Sequence, residues 1–144
     1  MQQHCHSTVS HNATGMNLVQ NTNFKVTSSR ATHNGFDGVD DYESLDTLDQ
    51  VTANANGGFG VSVGRPARVG SNYYTIEHST ANHNFQSGFE IAGNWPTYLY
   101  QAIVLDNTAN DNGHYGFYAD VRTKGKGNHA SGNGIANCWH VPCG

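Results

Sequence analysis

Six times along this chain a small apolar residue is followed, after two variable residues, by asparagine. The segments are Val9-Ser10-His11-Asn12, Ala31-Thr32-His33-Asn34, Ala53-Asn54-Ala55-Asn56, Ala81-Asn82-His83-Asn84, Ala109-Asn110-Asp111-Asn112 and Ala130-Ser131-Gly132-Asn133. Their asparagines are separated by 22, 22, 28, 28 and 21 residues. A base period near 22 with two six-residue insertions is the spacing of a solenoid, in which each repeat packs only on its neighbours.

Further columns keep the same register. Gly38, Gly60, Gly88 and Gly116 stand four residues after the asparagine, each followed by an apolar residue (Val39, Val61, Phe89, Phe117). Val26, Leu48, Ile76 and Val104 stand five residues before the small apolar residue. The Asn-Gly pairs at Asn34, Asn56, Asn112 and Asn133 predict a sharp left-handed bend there, because these two residues enter that conformation cheaply. Between the bends lie short alternating runs such as Lys25-Val26-Thr27, Val61-Ser62-Val63 and Thr75-Ile76-Glu77. Three short strands and three bends fit one repeat, and stacked repeats would form parallel sheets at about 4.8 Å spacing. The expected asparagine ladder is Asn12, Asn34, Asn56, Asn84, Asn112 and Asn133, each amide pairing with backbone or with the next coil.

This pattern resembles the right-handed parallel β-helix family, with repeats of the pectate-lyase and NosD-like kind, over roughly residues 7 to 137. The resemblance implies an all-β, right-handed parallel β-helix of about five to six coils, one domain over residues 1–144. It says little about activity, because the family includes polysaccharide lyases, glycoside hydrolases, phage tailspikes and adhesins.

Composition removes other classes. Charged residues are 12% of the chain, and seventeen asparagines supply much of the remaining polarity, which disfavours helix. Seven Lys+Arg against eleven Asp+Glu gives no basic field for nucleic acid. No stretch approaches the ~20 apolar residues of a membrane span, and the first residues do not read as a signal peptide.

The ends read differently. Residues 1–8 form an uncapped N-terminal edge, with Cys5 as the odd cysteine, which suggests self-association or a missing segment stacking on the first coil. Residues 138–144 read as a C-terminal cap in which Cys138 and Cys143 can close a disulfide, with Trp139 laid over the last coil. A disulfide points to a secreted protein or one on a cell or virion surface. A zinc site from Cys138, His140 and Cys143 would lack a fourth ligand.

Two insertions concentrate recognition chemistry: Arg65 and Arg68 in one, Trp95, Tyr98 and Tyr100 in the other. Flat rings and guanidinium forks suit sugars and their carboxylates. Asp37, Asp40 and Asp41 form an acidic cluster, with Asp46 and Asp49 beyond it. Solvated acids near the arginines are one account of it; the other is an acid pair or Ca²⁺ site acting on an acidic glycan. Asp40-Asp41, Gly113-His114-Tyr115 and Arg122-Thr123-Lys124 superficially match polygalacturonase-like hydrolases, but they lie three repeats apart. His11, His33 and His83 share one column and read as a stack, so no metal is assigned. No cofactor is expected, Ca²⁺ entering only with the enzyme reading.

The reading is therefore a non-catalytic secreted β-solenoid, structural and self-associating or glycan-contacting. The alternative is a polysaccharide lyase or hydrolase using Asp37, Asp40, Asp41, Arg65 and Arg68.

Overall fold

The computed structural model describes residues 2–19, 23–41, 46–64, 73–91, 101–120 and 123–144. Sixteen short strands wind through six coils, with no helix among the described residues. The first coil contains β1 (Gln2–Cys5), β2 (Thr8–Ser10) and β3 (Met16–Leu18); the second contains β4 (Phe24–Thr27), β5 (Arg30–Thr32) and β6 (Val39–Asp41). The third holds β7 (Thr47–Asp49) and β8 (Val61–Val63), the fourth β9 (Tyr73–Glu77) and β10 (Phe89–Ile91). The fifth has β11 (Gln101–Leu105), β12 (Thr108–Asn110) and β13 (Tyr115–Ala119); the sixth has β14 (Lys124–Lys126), β15 (His129–Ser131) and β16 (Ala136–Trp139).

Like strands stack on like. One six-stranded sheet runs β1-β4-β7-β9-β11-β14, and a second runs β3-β6-β8-β10-β13-β16. A third side is made by the pairs β2-β5 and β12-β15, joined by parallel bridges from Arg30 through Thr52 and Thr80 to Thr108. All pairings are parallel. The coil repeat therefore sets strand register: Val26, Leu48, Ile76 and Val104 stand side by side.

Each side contributes an inward column at the centre of the core. The first sheet gives Val26, Leu48, Ile76 and Val104; the second gives Val39, Val61, Phe89 and Phe117; the third gives Ala31, Ala53, Ala81 and Ala109. All are at most 1% exposed. Phe89 and Phe117 stack with ring centroids 4.9 Å apart. The third column is alanine because the glycine column lies against it. A Cβ on Gly38 would stand 3.1 Å from the Ala53 methyl, and one on Gly60 only 2.7 Å from that of Ala81.

The asparagine ladder runs through every coil. Asn34 donates its backbone N–H and its Nδ2 to Asn56 Oδ1, at 3.1 and 3.0 Å. Asn56 does the same to Asn84, Asn84 to Asn112, and Asn112 to Asn133, all at 2.9–3.0 Å. Asn12 joins through its backbone N–H to Asn34 Oδ1 at 3.1 Å. The amides of Asn56, Asn84, Asn112 and Asn133 also donate to the alanine carbonyl one coil back, as Asn84 Nδ2 does to Ala53 O. Buried polar groups are thereby paired without breaking the stack.

The left-handed residue is not the asparagine or the glycine after it. It is the residue before: His11, His33, Ala55, His83 and Asp111, at φ 55–59°, and Gly132 at 67°. The glycines at 57, 113 and 134 are required instead by close approach, since a Cβ on any of them would collide with a carbonyl oxygen of the coil before.

A second corner repeats this design. His6, Ser28, Gln50, His78 and Asp106 (φ 46–57°) and Gly127 (φ 69°) each precede one member of the column Ser7, Ser29, Val51, Ser79, Asn107, Asn128. Ser79 N–H donates to Asn107 Oδ1 at 2.9 Å, and Asn107 N–H and Nδ2 both donate to Asn128 Oδ1 at 3.1 Å.

At the ends, residues 2–5 are β1, hydrogen-bonded to β4, so the first coil begins inside the stretch read as an edge. The disulfide Cys138–Cys143 is formed. Trp139 does not lie over the last coil. Cys138 packs toward the core in β16, so strand alternation turns Trp139 outward, 48% exposed. Val141 enters the core in its place, and Asn128 Nδ2 donates to Pro142 O while Gly144 N–H donates to Asn128 O.

Candidate functional site: the outer face of the second sheet

In the second sheet alternate residues of each strand point inward. Val61 and Val63, and Phe89 and Ile91, belong to the core. The residues that alternate with them line up along the outer face of this sheet: Asn17, Asp40, Ser62, Glu90, Tyr118 and Trp139, in register from coil to coil. Carboxylates and a hydroxyl occupy one end of the stripe, aromatic rings the other. Asp40 is 8% exposed and Ser62 fully buried, and the Ser62 hydroxyl has no hydrogen-bond partner among the described residues.

At the aromatic end Tyr115 and Tyr118 are tilted with centroids 5.1 Å apart, and Trp139 lies 5.0 Å from His140. The Tyr118 hydroxyl donates to Asp120, which, with burial and the charges of Asp120 and Glu90, pushes its pKa up to about 12. A phenolate there would face two carboxylates, so Tyr118 stays neutral at any physiological pH.

Beside the acidic end lies an open cleft of about 450 Å³, lined by Thr14, Phe36, Asp37, Asp40, Gly57, Gly58, Phe59 and Gln86. Its floor is bare backbone at Gly57-Gly58. A side chain at 58 would collide with the Asp37 carboxylate, so glycine is what admits Asp37 to the cleft. Asp37 Oδ1 accepts the Phe59 N–H at 2.8 Å, which fixes its carboxyl group. Phe36, 64% exposed, presents a ring to solvent on the second coil, and Gln86 supplies an amide from the fourth.

The predicted site residues separate accordingly. Asp37 and Asp40 share this cleft, and Asp41 does not. Asp41 is fully buried in the inward column Leu18, Asp41, Val63, Ile91, Ala119. The acids are not a solvated set: Asp40, Asp41 and Asp46 are all buried, since β6 alternates one acid outward under cover and the next into the core. Asp46 Oδ1 accepts the Phe24 N–H. Arg65, Arg68, Trp95, Tyr98 and Tyr100 lie outside the described residues. The His11 and His33 rings stack at 5.6 Å, 7° from parallel. Asp41 and His114 stand on the second and fifth coils, three apart.

Phe36, Gln86, Ser62, Glu90 and Tyr118 were not singled out from sequence. The signal for Ser62, Glu90 and Tyr118 was positional: the outward stripe is the residue six after each ladder asparagine (five in the first coil), while Phe36 and Gln86 each stand two after theirs. Its members differ chemically, so no column of like residues drew attention to it.

A sequence model described as the right handed beta helix region matches residues 5–141. The chain belongs to the right-handed β-helix family. No curated protein and no solved structure matches this β-helix. No helix among its described residues is long and apolar enough to cross a membrane.

Proposed function

We propose that this β-helix is a non-catalytic, extracellular, glycan-contacting module whose binding site is the cleft at Phe36, Asp37, Asp40 and Gln86 with the adjoining outward stripe. The observation that carries the reading is an exposed phenyl face beside fixed hydrogen-bonding groups over a glycine floor. Sugar rings offer apolar C–H faces to stack and hydroxyl groups to donate, and a site of this kind supplies both partners. Two carboxylates in the cleft favour a hydroxyl-rich neutral or amino sugar and repel a uronate. The disulfide supports the extracellular placement.

The enzyme reading draws on one feature, two carboxylates lining the same cleft. It loses Asp41 to the core, and Asp37 has one oxygen committed to a backbone N–H.

The test is retention of the full chain on immobilised neutral glucan, xylan, mannan and chitosan, with polygalacturonate for contrast. Retention on a neutral or amino polysaccharide, lost at least tenfold in Phe36→Ala, is expected, with no release of reducing ends. Retention on polygalacturonate alone contradicts the site. Turnover abolished by Asp40→Asn would establish the enzyme instead.

A further inference from the structure

The first sheet carries a second cluster, on a different side of the rod from the cleft. Parallel pairing of β7 with β9 sets Asp49 directly beside Glu77. The chain then turns at His78, whose left-handed backbone (φ 50°) ends the strand. One oxygen of each carboxylate and a ring nitrogen of His78 lie within 4.8 Å of one another.

We propose that Asp49, Glu77 and His78 bind a divalent first-row transition-metal ion of the zinc and cobalt kind. Directly opposed like charges on paired strands are destabilising. In the same column the flanking coils carry Thr27 and Leu105, so stacking does not call for an acid at either position. A cation between the two carboxylates turns that repulsion into attraction.

The donor set chooses the ion. Two carboxylates alone would suit Ca²⁺ or Mg²⁺, but an imidazole among three ligands favours a borderline ion. One donor pair already stands at the spacing of a ligand shell, and Glu77 lies within 4.8 Å of both. Asp49 Oδ1 and His78 Nδ1 are 3.1 Å apart, and ligands held about 2.0–2.2 Å from one ion lie roughly 3–3.6 Å apart. Lys25 Nζ sits 3.7 Å from the other oxygen, Asp49 Oδ2, which leaves Oδ1 to the metal and offsets part of the charge. Three protein ligands on an exposed corner leave positions for water. Because Asp49 and Glu77 come from neighbouring coils, the ion would clamp the third coil to the fourth.

The test uses the full chain after dialysis against a chelator. Titration with CoCl2, followed by the visible spectrum, and with ZnCl2, followed by calorimetry, should show one site per chain, with zinc displacing cobalt. Glu77→Gln and His78→Gln should each weaken binding tenfold or more. Gln50 already occupies the equivalent left-handed corner one coil earlier at φ 57°, so glutamine at 78 suits the backbone. His83→Gln, on another corner, should bind as the wild type does. Zinc should raise the melting temperature of the wild type and of His83→Gln only. Absence of stoichiometric binding, or binding unchanged in both Glu77→Gln and His78→Gln, would overturn the site. So would a preference for Ca²⁺ over Zn²⁺, since it would leave the imidazole without a role. None of these outcomes bears on glycan binding.

Discussion

Asn84 makes four hydrogen bonds through one buried amide. Its Oδ1 accepts the N–H and Nδ2 of Asn56, and its Nδ2 donates to Ala53 O and Asn112 Oδ1. Alanine there leaves two buried donors of Asn56 without their acceptor, and each such group costs about 1–3 kcal/mol. Asn84→Ala should therefore lower the unfolding free energy by about 3 kcal/mol in denaturant titration; a loss under about 1 kcal/mol would mean that the ladder is not a principal support. Tyr118 gives a residue-level test of the outer face. Its pKa is raised to about 12 from an ordinary value near 10. Its neutral form thus favours the fold in full below pH about 10, and that contribution is lost as pH climbs from about 10 to 12. In ultraviolet titration the step lost in Tyr118→Phe relative to the wild type should be one phenol ionising near pH 12. Loss of a phenol that ionises near pH 10 in that variant would contradict the hydrogen bond to Asp120.

Among the elements, the turns are more tightly specified than the strands. A Cβ on Gly60 would lie 2.6 Å from Gly88 O, 2.7 Å from the Ala81 methyl and 2.7 Å from Asn84 Nδ2. A backbone carbonyl and a ladder amide cannot both give way, so Gly60→Ala should cost about 3 kcal/mol. Gly144→Ala meets open space and should be silent. The asparagine corner was legible in the sequence because chemistry and register coincide there. The second corner was not, because Ser29, Val51, Ser79, Asn107 and Asn128 share a geometric task without sharing a side chain. The left-handed positions were misplaced for a related reason. Ladder bonding holds His33, Ala55 and Asp111 in a conformation that residue type alone would assign to Asn or Gly. The acids near residue 40 stood out as a cluster, yet only the strand phase of β6 shows that Asp40 faces the cleft and Asp41 the core.

The whole molecule is a rod in which each coil is held by its neighbours, so stability depends on how the terminal coils are closed. The tail does this at one end, with Val141 in the core and residues 142–144 bonded to Asn128 and His129. The disulfide Cys138–Cys143 closes a six-residue loop around that tail, worth about 2 kcal/mol by chain entropy. Cys143→Ser should lose about that much in denaturant titration, and reductant should then have no further effect on this end. The outer surface, by contrast, is free to carry function because the repeat constrains only the inward and ladder columns. The most direct measurement of the glycan-contacting account is amide chemical-shift mapping of the full chain titrated with a soluble oligosaccharide of the best-retained polysaccharide. The account predicts shifts concentrated at Thr14, Phe36, Asp37, Gly57, Gly58 and Gln86, extending to Asp40 and Glu90. Shifts absent at saturating sugar, or confined to the first sheet, would contradict it.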